Sequence, residues 1–186
     1  MLTVIIATDE SERALVSTLA ALVPGATAGA IREVIVADKG SRDQTAEVAD
    51  VAGCRIVVAP VPLAGRLRAA AAVARAEWLM FLRPGTAPDA TWIPETMRFV
   101  EQAELSGDPV GRVAVLGRPR RNGAGGFHRL RNLLRGPRPE QGLVIAKRLY
   151  DSLGGHRDGT DPERDLLRRL GRRRIVVLRT PALIVD

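Results

Sequence analysis

The stretch EVIVADKGSRDQT, Glu33 to Thr45, decides how the chain is read. Val34 to Ala37 is a short apolar run rich in β-branched residues, suited to a strand buried on both faces. It stops on a carboxylate, Asp38, and turns through Lys39, Gly40 and Ser41. A run suited to the core that ends on an acid needs a reason for the acid. Asp38 either caps the turn or faces a ligand at a strand end. Asp43 sits where the first turn of a helix favours an acid in any case, so capping suffices for it.

The same grammar recurs outward from this stretch. LTVIIAT (Leu2 to Thr8) is a second buried strand. DESERALVSTLAALVPG reads as a helix, with Asp9 as cap, Glu12 as its capping-box partner and Pro24-Gly25 as its end. After VIVAD, Ser41 and Gln44 form another capping-box pair and Gly53 stops the helix TAEVADVAG. CRIVVAP is a strand, AGRLRAAAAVARAE an alanine-rich helix, and WLMFLRPGT a strand with its turn. Strand-helix alternation with short joints predicts βαβ units, a parallel sheet and right-handed crossovers. Further on, TWIPETMRFVEQAE reads as a helix, RVAVLG and GLVIA as strands, and KRLYDSLGG as a short helix closed by Gly154. DPERDLLRRLGRR reads as a helix with Asp161 as cap and Pro162 in its first turn, and RIVVLRTPALIV as one or two closing strands.

Composition bounds the class. The chain has 186 residues, 46% of them hydrophobic and 26% charged, which suits one soluble globular domain. Aromatics are only 3%, so Ala, Val and Leu must build the core. A single cysteine, Cys54, excludes an internal disulfide and fits a reducing, cytoplasmic setting. MLTVIIATDE lacks a basic segment before its apolar run, which argues against a signal peptide, and no apolar stretch is long enough for a spanning helix. The net charge of +7 favours polyanions: nucleic acid, anionic lipid or phosphorylated ligands. His128 and His156 are too far apart in sequence to suggest a metal site.

In open parallel sheets, ligands bind outside the carboxyl ends of the strands. Those ends carry Thr8, Asp9 and Glu10, then Asp38, then Arg83, Pro84 and Gly85. Helix N-termini open on the same edge, where free N–H groups favour phosphate. Asp38 is therefore expected to face a ligand, as an acceptor for a base N–H or ribose hydroxyls.

With these residues in view, the whole chain resembles a family 2 glycosyltransferase of GT-A fold, especially its short bacterial members. VADKGSRDQT parallels the family's VVDGGSxDGT, keeping Asp38, Gly40, Ser41, Asp43 and Thr45. PEQGLVIAKRLYDSLGGH parallels GDQGLFVRRxLYExLGGF, and PERDLLRRLGRR parallels MEDVDLxRRLRRxG. The resemblance implies a single Rossmann-like α/β domain with a mostly parallel sheet flanked by helices. Residues 1–90 would be its nucleotide-binding half and 91–186 its acceptor-side half. It implies transfer of a sugar from a nucleotide-diphosphate-sugar donor to an acceptor hydroxyl. Thr8, Glu10 and Asp38 would hold the nucleotide. Glu163 would be the base that deprotonates the acceptor, with Asp165 a less favoured substitute.

The departures from the family pattern share a direction. The acidic metal motif, HAD or DxD, reads Arg83-Pro84-Gly85 here, and Asp89 falls in the turn beyond. A hard divalent cation needs oxygen ligands, so the expectation is a site without the usual Mn²⁺ or Mg²⁺ bridge. The family's Gln and Asn before the alanine-rich helix are Arg66 and Arg68. Arg66, Arg68 and Arg83 are expected to neutralise the diphosphate in the metal's place. The family's MED reads DPE, which leaves a non-catalytic nucleotide-binding or regulatory relative as the alternative class.

RPRRNGAGGFHRLRNLLRGPRP, Arg118 to Pro139, holds seven arginines and no acid. Phe127, Leu130, Leu133 and Leu134 fall at helical spacing between them, a pattern suited to a helix on an anionic membrane surface, and relatives acting on lipid-linked acceptors would sit there. The plain alternative is a segment whose leucines pack on the domain and whose arginines are solvated. Nucleic acid is the least supported partner, because aromatic interleaving and a reader motif are both missing.

Overall fold

The computed structural model describes residues 1–107, 111–117 and 137–185. Residues 118–136, with most of the arginine-rich segment and the membrane reading placed on it, lie outside the described residues, as does His128.

The buried strands come first. β1 (Leu2–Thr8), β2 (Ile31–Asp38), β3 (Arg55–Val58) and β4 (Trp78–Leu82) run parallel in the order β3-β2-β1-β4. The predicted apolar runs are the central ones: Val4, Ile5, Ile6, Leu79 and Met80 have no exposed surface. β6 (Val113–Gly117), β7 (Leu143–Ala146) and β8 (Ile175–Ile184) extend the sheet, with β7 antiparallel to both β4 and β6. β5 (Thr86–Pro88), a short strand with no sequence signal, pairs antiparallel with the far half of β8. β8 thus pairs with β6 first and then folds onto the turn that follows β4.

Helices flank the sheet: α1 (Glu12–Thr27), α2 (Thr45–Val51), α3 (Leu63–Val73), α4 (Trp92–Leu105), α5 (Lys147–Ser152) and α6 (Pro162–Leu170). α3 packs on β1 and β2, and α4 on β6 and β8. The scarcity of aromatics concentrates their work: Trp92 is fully buried, and Trp78 meets Phe99 edge-on at 5.8 Å.

Three local expectations need correction. Pro24 does not end α1; the helix runs on to Thr27 with Pro24 inside it. Tertiary packing overrides the proline: a Cβ on Gly25 would lie 2.3 Å from the Trp92 ring, so the glycine lets the last turn seat against Trp92. Asp9 does not cap α1, whose N-cap is Ser11 without a side-chain cap bond, because Asp9 pairs with Lys39 at 2.7 Å. Ser41 does not cap α2, whose N-cap is Gln44, because the Ser41 hydroxyl donates to Asp38 at 2.6 Å. The α6 cap is as expected: Asp161 accepts from the Arg164 N–H at 3.0 Å with Pro162 at the first turn.

Candidate active site

Parallel pairing puts the strand tips in register. Thr8 lies opposite Asp38, and Ile6 opposite Leu82, so the residues after β1, β2 and β4 share one edge. A cleft of about 410 Å³ opens there. Asp9, Glu10 and Ser11 line one wall, Arg83 and Pro84 the other, and Arg66 from α3 and Glu163 from α6 complete it.

Asp38 sits behind the wall of Asp9, Glu10 and Ser11, 2% exposed. Its Oδ1 accepts from the Thr8 hydroxyl at 2.7 Å and the Ser41 hydroxyl at 2.6 Å. Its Oδ2 accepts from the Gly40 and Ser41 N–H groups, both at 2.7 Å. Burial pushes the carboxyl pKa up, but the bonds from Ser41, Thr8 and Gly40 outweigh it and hold it below the ordinary value. A carboxylate offers about four acceptor positions, and all are taken by the chain itself. Gly40 has φ +101, which lets the turn fold back over Asp38.

Glu10 ties the first wall to this turn. Its carboxylate accepts from the Arg42 N–H at 2.8 Å and the Asp43 N–H at 3.1 Å, and its own N–H donates to Ser41 Oγ at 2.9 Å. It does so at φ 50, a left-handed conformation uncommon for a residue with a side chain. Asp43 accepts from Thr45 and from the Glu12 N–H, so it joins the two helix starts as a structural acid.

The opposite wall is a tight turn. Arg83-Pro84-Gly85-Thr86 has proline at its second position, glycine with φ +82 at its third, and a Thr86 N–H to Arg83 O bond of 3.0 Å. Gly85 donates to Ala14 O at 2.9 Å and accepts from the Val185 N–H at 2.8 Å, so α1 and the segment after β8 both hold the turn. A side chain at Gly85 would meet Val185 O at 2.7 Å.

The turn aims Arg83 between two acids. Its Nε donates to Glu163 Oε2 at 2.8 Å, its Nη2 pairs with the same oxygen, and its Nη1 donates to Glu140 Oε1 at 3.1 Å. Burial lowers the Arg83 pKa, but Glu163, Glu140 and Asp161 more than reverse this and hold it above the ordinary arginine value. Glu163 is carried there by the first turn of α6. Asp165, in the same turn, is taken by Arg168 at 2.6 Å and Arg169 at 2.8 Å.

Arg66 differs from Arg83. It is 7% exposed, donates through Nη1 to Thr8 O, and its buried Nε has no partner. Among the described residues it has no carboxylate partner. Arg68 is outside the cleft lining: it donates to His156 O at 2.5 Å and pairs with Asp158 at 3.2 Å. Asp89 accepts from the Thr91 N–H at 2.8 Å and hydroxyl at 2.6 Å, where α4 starts.

The structure thus brings Glu10, Arg66, Arg83 and Glu163 to one cleft, puts Thr8 and Asp38 immediately behind it, and turns Arg68 to a neighbouring loop. Two participants escaped sequence reasoning. Glu140 sits in a 3₁₀ turn, Pro139–Gln141, 57 residues from Arg83. His156 lies beneath the site, its Nδ1 2.9 Å from the Tyr150 hydroxyl and its ring 5.0 Å from that of Phe81. Burial, with Arg169 and Arg68 nearby, drives its pKa down to about 3. Glu140 reaches Arg83 only through long-range packing, and His156, whose partner Tyr150 lies six residues back, shows its burial only once Phe81 from β4 packs against it.

A family model described as glycosyl transferase family 2 matches residues 3–157. Solved structures share the fold at low identity. Glucosyl-3-phosphoglycerate synthase from Mycobacterium tuberculosis, in complex with Mn²⁺, uridine diphosphate and glucosyl-3-phosphoglycerate, is 22% identical with TM-score 0.65, covering 95% of this chain and 68% of that one. S. aureus TarS 1-349 in complex with UDP is 14% identical with TM-score 0.70, covering 95% and 57%. The mannosyltransferase PcManGT from Pyrobaculum calidifontis, in complex with GDP-Man and Mn²⁺, is 15% identical with TM-score 0.71, covering 97% and 54%. No curated protein matches the chain.

Proposed function

The chain belongs to glycosyl transferase family 2, and from that premise we propose that it transfers a sugar from a nucleotide-diphosphate-sugar donor to an acceptor hydroxyl, with arginine as the diphosphate's counter-ion. The observation that carries this reading is the cleft at the strand tips, where the buried guanidinium of Arg66, with no carboxylate partner among the described residues, stands with Arg83 and Glu163. The solved relatives hold uridine or guanosine diphosphate compounds.

In the proposed reaction the acceptor oxygen forms a bond to the sugar's anomeric carbon. The bond from that carbon to the diphosphate breaks, and its electron pair leaves on the phosphate oxygen. The acceptor's proton passes to the Glu163 carboxylate. Arg66 and Arg83 stabilise the charge that grows on the leaving diphosphate. Arg68 joins them only by leaving Asp158. On the nucleotide side, Glu10 shapes the wall, and the Thr8 or Ser41 hydroxyl yields its place on Asp38 to a base or ribose donor. Residues 1–90 form the nucleotide half and 91–186 the acceptor half.

Two of the similar solved structures hold Mn²⁺, an ion that needs oxygen ligands. The donor set here does not fit it. Arg83, Pro84 and Gly85 offer no side-chain oxygen, Glu140 and Glu163 are engaged by Arg83, Asp9 by Lys39, Glu10 by the Arg42 and Asp43 N–H groups, and Asp89 by Thr91. Among the described residues no group of three acidic, histidine or cysteine side chains is clustered for a metal. No step above passes through one.

A panel of sugar nucleotides, assayed for donor hydrolysis and transfer with and without chelator, tests the reading. Turnover should survive chelator and fall about 10²–10⁴-fold in Glu163→Gln. Nucleotide binding without turnover overturns catalysis, and binding that vanishes with chelator overturns the arginine role. The proposed acceptor is lipid-linked, met at the cytoplasmic face of an anionic membrane through Arg118–Pro139, on the strength of that segment's seven arginines. Co-sedimentation with anionic but not neutral vesicles is expected. No described helix is long and apolar enough to cross a membrane.

A further inference from the structure

The contact between Arg83 and Glu163 joins two groups that the reaction needs separately. Arg83 must meet an anion, and Glu163 must offer a lone pair to a hydroxyl. As they stand, two nitrogens of Arg83 are directed at one oxygen of Glu163, and only Nη1 turns elsewhere, to Glu140. The pair is well sheltered on the acid's side, with the Glu163 side chain 14% exposed against 39% for Arg83.

An arriving diphosphate changes the balance of charge. The cleft holds one guanidinium already shared by two carboxylates and one, Arg66, that has none among the described residues. Arg66 is then the first landing point. A diphosphate seated there brings negative charge beside Glu163, which favours exchange of Glu163 for phosphate oxygens on Arg83. Arg83 does not swing out with the acid, because Glu140 holds its third nitrogen from a separately anchored turn. In that turn the Gln141 side chain accepts from the Arg138 N–H at 2.9 Å and donates to Leu116 O at 2.6 Å.

We propose that Glu163 and the donor diphosphate compete for Arg83, so that donor binding itself releases the base. The proposal rests on the function given above and adds an order to it: donor first, base second. With Glu163 Oε2 tied to Arg83 until the donor arrives, an acceptor bound alone meets a carboxylate still held by the arginine.

Calorimetric titration of the full chain with inorganic pyrophosphate, and separately with uridine and guanosine diphosphates, tests it. Glu163→Gln should bind pyrophosphate about tenfold more tightly than the native protein while losing transfer. The gain should disappear on an Arg83→Met background, where Arg83→Met and Arg83→Met/Glu163→Gln should bind alike. If Glu163→Gln fails to fold, Glu163→Asp, whose carboxylate is drawn back by one methylene, carries the same test. A gain that persists without Arg83 is a bulk charge effect and overturns the proposal. Native binding with no gain in the variant overturns this proposal alone and leaves the proposed function standing. Absence of binding to every form overturns both.

Discussion

The Thr8 hydroxyl meets the Asp38 carboxylate at 2.7 Å across two parallel strands, joining residues thirty positions apart. Together with three bonds from Gly40 and Ser41, this makes Asp38 the hub of the loop that follows β2. Asp38→Ala strands these buried donors and should cost about 2–3 kcal/mol of stability, with loss of nucleotide binding. Asp38→Asn should cost about 1 kcal/mol, because the Thr8 and Ser41 hydroxyls can rotate to accept from the new amide. Urea unfolding of both variants measures the difference. The folded pKa of Asp38 lies below its ordinary 3.8, so its stabilisation is present above that value and fades as pH falls through the lower folded value.

Among the described residues, Arg66 is a buried cation without a carboxylate partner and with an unsatisfied Nε. A cation buried at such cost should be dispensable for folding. Arg66→Met is expected to leave stability unchanged or raise it by up to about 1–2 kcal/mol. Pyrophosphate binding should weaken about tenfold or more. Thermal unfolding and calorimetry on one preparation read both effects. A large loss of stability would make Arg66 a structural residue through its bond to Thr8 O.

Gly85 stands where the family pattern has the last acid of its metal motif. Restoring that acid should fail. Gly85→Asp forces a side chain onto φ +82 and against Val185 O, and should cost about 1–3 kcal/mol. Donor binding by the variant should stay indifferent to added Mn²⁺, since Arg83 still engages the nearby carboxylates. A Mn²⁺ titration of donor binding checks this.

His156 occupies the place of the family's phenylalanine in LGGF, and burial holds it neutral with a pKa near about 3 against an ordinary 6.5. Between those values the unfolded chain binds a proton that the folded chain refuses. The stability it permits is therefore complete above about pH 6.5 and declines as pH falls toward 3, by an amount on the order of a few kcal/mol. His156→Phe should flatten the slope of stability against pH between 5 and 7. Its cost is the hydrogen bond to Tyr150, about 1 kcal/mol. Denaturant melts at pH 5 and 7 provide the comparison.

The amino-acid sequence by itself determined the order of the helices and of every strand but β5, the α6 cap at Asp161, and the placing of Thr8, Asp38 and Arg83 at strand tips. These follow from local rules: apolar runs mark buried strands, and turn chemistry marks where each one stops. Only the tertiary structure decided what each polar group does once it arrives there. The Ser41 hydroxyl serves Asp38 rather than a helix end, Pro24 stays inside α1 because Gly25 lies against Trp92, and Arg68 is drawn to Asp158. Arg83 is gripped by acids 57 and 80 residues away. Such pairings depend on which distant segments the sheet and its crossovers bring within reach, and no local pattern of residues encodes that distance.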